Sequence, residues 1–71
     1  MINRETIIGQ GPAIKVSCQE CTDYLEGQEW VLFNYHGQIT KELLDDADHN
    51  AETHDHEYKG KHAITIYEFR V

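Results

Sequence analysis

Seventy-one residues with 13 acidic against 6 basic side chains give a formal net charge of −7 and describe one small domain spanning residues 1–71. That balance argues against a protein that grips nucleic-acid phosphates, which needs Lys and Arg, and against a membrane surface of like sign. No stretch approaches the roughly 20 apolar residues of a membrane span. A single core at this size rarely supplies more than about 3–5 kcal/mol, so a metal, a disulfide or oligomerisation has to be considered.

The first residues contain no apolar run long enough for a signal peptide. We therefore expect a cytoplasmic protein with reduced thiols. Glu5 to Ile8 is a short apolar run closed by the turn residues Gly9-Gln10-Gly11-Pro12. Ala13 to Ser17 alternates with period two, Ile14 and Val16 on one face, and reads as a strand. From Cys18 to Gln28 the periodicity weakens, and a loop is expected with Tyr24 and Leu25 pointing inward.

Trp30 to Tyr35 is rich in aromatic and β-branched residues and reads as a central strand ending at His36-Gly37-Gln38. Thr40 is a good N-cap for a helix from Lys41 to His56. Its apolar stripe is Leu43, Leu44, Ala47, Ala51 and His54, extending to Tyr58, with Gly60 as the stop signal. Ala63 to Val71 is a final strand, with Ile64 and Ile66 on one face and Thr65, Tyr67 and Phe69 on the other.

These elements predict an α+β fold: a small three- or four-stranded sheet with one acidic helix packed on one face, in β-β-β-α-β order. The expected core is Trp30, Leu32, Phe33, Leu43, Leu44, Ala47, Ile64, Ile66, Tyr67 and Phe69.

The carboxylates concentrate between Cys18 and Glu57, where Lys41 is the one Lys or Arg; the other cations lie toward the two ends. This asymmetry predicts a negative face that attracts basic protein surfaces. Its expected contact residues are Glu42, Asp45, Asp46, Asp48, Glu52 and Asp55 on the helix, with Glu20, Asp23 and Glu26 in the preceding loop.

Cys18 and Cys21 have the two-residue spacing of half a zinc site. The candidates for two further ligands are His36, His49, His54, His56 and His62. No second cysteine pair follows, and His49 and His54, though five residues apart, lie on a predicted helix too far from Cys21 for finger spacing. The first reading is therefore two ordinary thiols with no metal and no cofactor. The alternative is zinc held by Cys18, Cys21, His54 and His56, although residues two apart on a helix do not share a face. The Asp45-Asp46-Asp48 run fails as a calcium loop, since Asn50 and His56 stand where Gly and Glu are required. Ser17 is the only serine and sits in no nucleophile elbow, and Gly9-Gln10-Gly11-Pro12 opens no phosphate-binding helix. An enzyme is not expected.

The sequence thus points to a small acidic protein-interaction domain. It would dock on a larger protein with a basic surface and, where that surface holds nucleic acid, act as a phage-type charge-mimicking inhibitor. The alternative is the zinc module. Neither nucleic acid nor membrane is an expected direct partner, and the chain is expected to be a monomer or homodimer.

Overall fold

The computed structural model describes residues 1–24 and 28–71, without the side chain of Tyr24. The expected inward side chains of Tyr24 and Leu25, and the docking role of Glu26, lie outside the described residues. The elements are β1 (Ile2–Ile8), β2 (Ala13–Cys18), α1 (Gln19–Tyr24), β3 (Trp30–His36), α2 (Lys41–Glu57) and β4 (Ile64–Arg70). The α+β expectation holds, with four strands in one mixed sheet. The segment expected as a loop begins with the short helix α1.

The sheet order is β1-β4-β2-β3. The β1–β4 pair is parallel, while β2 runs antiparallel to both β3 and β4. Opposite residues in these ladders share a face, so Ile14, Val16 and Cys18 stand beside Glu68, Ile66 and Ile64 under α2. Ile14, Val16, Ile64 and Ile66 meet Ala47 and Ala51 of the helix, and all six are buried. Each fully buried Ile or Val is worth about 1.5–3 kcal/mol relative to leaving it in water. Leu32, Phe33, Leu43 and Leu44 pack around this cluster only partly buried.

The core differs from the expected one in its aromatics and in Ile14, Val16 and Ala51, which are fully buried but absent from the expected set. Strand β3 is an edge, hydrogen-bonded to β2 alone, and Trp30 is 44% exposed. Tyr67 and Phe69 lie on the sheet face away from α2, stacked with ring centroids 5.9 Å apart. The Lys15 ammonium sits 4.9 Å from the Tyr67 centroid and 3.1 Å from the Glu29 carboxylate.

Both ends of α2 are capped as their residues dictate. Thr40 is in an extended conformation, and its hydroxyl accepts the Leu43 N–H at 3.3 Å. At the other end Lys59 takes a left-handed conformation, its N–H reaching the His56 carbonyl while that of Gly60 reaches Asp55. This turn sends the chain back alongside the last helical turn and into β4.

Gly11 sits where backbone meets backbone. A Cβ there would lie 2.1 Å from the Phe69 carbonyl oxygen, which belongs to strand β4 and cannot swing away. Gly11→Ala is expected to lower unfolding free energy by about 2 kcal/mol or more, and Ile66→Ala by about 2–5 kcal/mol. Urea denaturation followed by circular dichroism measures both; an unchanged midpoint for either contradicts the packing described.

Candidate metal centre

Cys18 ends β2 in the row that begins with Ile14 and Val16, and it is fully buried. Cys21 follows one turn later on α1. The Thr22 hydroxyl donates to the Cys18 carbonyl at 2.7 Å and accepts the Trp30 N–H at 2.9 Å, fixing α1 between β2 and β3. His54 occupies the buried stripe of α2 after Ala47 and Ala51. His62 comes from the turn between α2 and β4.

The four side chains converge. Cys18 Sγ lies 3.3 Å from His62 Nδ1, and Cys21 Sγ lies 3.6 Å from His54 Nε2 and 3.8 Å from His62 Nδ1. The two imidazole nitrogens are 3.4 Å apart. All four ligand atoms fall within 4.8 Å of one another. A tetrahedral ion with bonds of about 2.3 Å to sulfur and 2.0–2.1 Å to nitrogen needs ligand atoms separated by roughly 3.3–3.8 Å. The donor set, two thiols and two imidazoles, suits zinc and other borderline-soft ions in preference to magnesium or calcium.

Burial favours the neutral forms of two members of the cluster, Cys21 and His54. Burial, then the Cys18 thiol beside it and the Glu20 charge, pushes Cys21 up to about 11. Burial, followed by the nearby His62, lowers His54 below the ordinary histidine value, so its ring is a neutral donor at pH 7. Tyr58 covers one side of the cluster: its ring stacks on His62 at 3.8 Å and 12°, and lies 4.7 Å from that of His54.

The structure thus brings together three of the four residues of the sequence-derived zinc alternative and replaces the fourth. His56 is exposed on α2, turned away from His54 as two helical positions require. His62 takes its place because the left-handed cap at Lys59 reverses the chain. The signal was the stop at Gly60, which implied that a histidine two residues later would return beside the end of the helix.

The residues expected to form the acidic face divide. Glu42, Asp45, Asp46 and Glu52 are exposed on α2, and Asp23 is exposed on α1. Asp48 pairs with Arg4 of β1 at 2.7 Å, and Asp55 is held by the Met1 nitrogen. Glu20 turns its carboxylate toward Cys18 of the cysteine–histidine cluster and the Ala63 N–H.

The terminal strand β4 lies inside the sheet, bonded on both sides, so it offers no free edge for pairing with a second copy. Among the described residues, no helix is long and apolar enough to cross a membrane. Comparison with family models, curated proteins and solved structures yields no match.

The raised Cys21 value has a measurable consequence. In metal-free protein, thiolate is scarce at neutral pH and is the form that reacts. Alkylation of Cys21 by iodoacetamide, followed by peptide mass mapping, should keep accelerating past pH 10. A plateau near pH 9 would show an ordinary exposed thiol.

Proposed function

We propose that the chain is a small zinc-binding module in which Cys18, Cys21, His54 and His62 hold one ion. The observation that carries this reading is the convergence of two sulfurs and two imidazole nitrogens from three separate segments within 4.8 Å. Four protein ligands complete a tetrahedral zinc sphere and leave no position for a reactive water, which is the pattern of structural and not catalytic sites. The ion's role is then to fasten α1, the end of α2 and the entry to β4 together. A chain of this size needs such a fastening because its buried core is small.

Elemental analysis and native mass spectrometry test this directly, with one zinc per chain expected. With free zinc about 100-fold above Kd, binding contributes about 2.7 kcal/mol, which for a domain this small raises the thermal midpoint by about 10–20 °C. Cys21→Ser and His62→Ala should abolish the rise, while His56→Ala should retain it. A wild-type midpoint that does not respond to zinc or to chelator removes the reading.

A second reading is supported by the four exposed carboxylates Glu42, Asp45, Asp46 and Glu52, none of which has an ion-pair partner among the described residues. They fit a docking surface for a basic site on a larger protein. Association with such a partner should slow steeply with salt, since charges are screened over about 8–10 Å at physiological ionic strength. Replacing these four with Lys should leave the fold intact, because they lie off the buried stripe, and should abolish capture of that partner. Retained affinity means that the charge serves solubility alone.

A further inference from the structure

Glu20 stands between the two cysteines in sequence. Glu20 Oε2 accepts the Ala63 N–H at 2.5 Å and lies 4.0 Å from Cys18 Sγ. The Ala63 carbonyl accepts the Gln19 N–H at 2.9 Å. Both backbone polar groups of Ala63 are therefore taken by the first two residues of α1. Ala63 adjoins His62, so this double clamp ties the segment bearing one imidazole to the segment bearing both thiols.

We propose that Glu20 is a positioning residue of the metal centre, acting through its hydrogen bond to Ala63 to hold His62 at the distance from Cys18 and Cys21 that a tetrahedral ion requires. The proposal rests on the zinc reading above. Residues that orient metal ligands without touching the metal commonly change affinity 10- to 100-fold when lost.

The contribution is geometric more than electrostatic. Zinc carries two positive charges, and two thiolate ligands balance them, so the loaded site is neutral overall. A carboxylate nearby is attracted to the zinc and repelled by the thiolates, and these effects largely cancel. What does not cancel is the loss of the Ala63 bond, which frees the turn that carries His62.

Two conservative variants separate reach from charge. Glu20→Gln keeps the length and an oxygen that accepts the Ala63 N–H while removing the charge. Glu20→Asp keeps the charge but is one methylene too short to reach. Zinc Kd is measured on the full chain by competition with a chromophoric chelator, alongside thermal midpoints of metal-free samples. The intensity of the thiolate-to-cobalt absorption of the cobalt(II)-substituted protein is read in parallel.

The expected result is that Glu20→Gln binds within about threefold of wild type, while Glu20→Asp and Glu20→Ala bind about 10- to 100-fold more weakly with a diminished cobalt band. A purely structural role would shift metal-free and metal-bound stability equally and leave Kd unchanged. Wild-type protein that takes up zinc while Glu20→Asp binds equally well overturns this inference and leaves the zinc reading standing. So does a Glu20→Gln loss as large as that of Glu20→Asp, since the charge would then be what matters. Wild-type protein that takes up no zinc fells the zinc reading itself, and the inference with it.

Discussion

The structure depends on how closely α2 can lie against the sheet, and two alanines set that distance. Ala47 and Ala51 are the fully buried positions of the helix, and they meet Ile14, Val16, Ile64 and Ile66 directly. Small side chains on the helix and branched ones on the strands allow close approach without a void. The core that results is thin. It is also directional, because the row Ala47, Ala51, His54 on the helix and the row Ile14, Val16, Cys18 on the strand end at the same side of the molecule. Each begins with apolar side chains and finishes with a member of the cysteine–histidine cluster. The cysteine–histidine cluster is therefore the continuation of the hydrophobic core where apolar residues run out.

Much of this was legible in the sequence, because local signals decided it. The strands from Ala13 and from Ile64, the Thr40 cap and the buried stripe of α2 follow from period and capping chemistry, which neighbours in the chain determine. Burial of the aromatics was not legible. Trp30, Tyr67 and Phe69 read as core by composition, but strand order decides which strand is an edge and which face a helix covers, and order is set by long-range pairing that periodicity does not encode. Half of the site was visible as Cys18 and Cys21. His54 was visible as a polar residue in an apolar stripe. His62 was one of five candidate histidines but could not be singled out, because eight positions separate it from His54 and only the left-handed turn at Lys59 brings it back.

Charge and ligand chemistry are kept apart in this molecule. The carboxylates of α2 that point to water are hard oxygen donors spread along a helix, and nothing gathers them about a common point. The soft donors are gathered and largely withdrawn from solvent, in a place where burial disfavours thiolate and imidazolium alike. An acidic surface of this kind draws divalent cations toward the protein in general. Two thiols and two imidazoles would select among them by donor softness and geometry.

The strand order also constrains when the fold can form. Strands β1 and β2 are consecutive in the chain yet do not bond to each other; β4 lies between them. One of the two interior strands of the sheet, β4, is thus the last of the four to be synthesised. Until it emerges, β1 has no partner, β2 has only β3, and α2 has half a surface to pack on. Its insertion closes the longest loops in the domain at one step, the kind of non-local pairing whose entropy must be met before contacts reward it. During synthesis, then, the β1–β4 and β2–β4 ladders and half of the surface under α2 can form only once β4 has emerged.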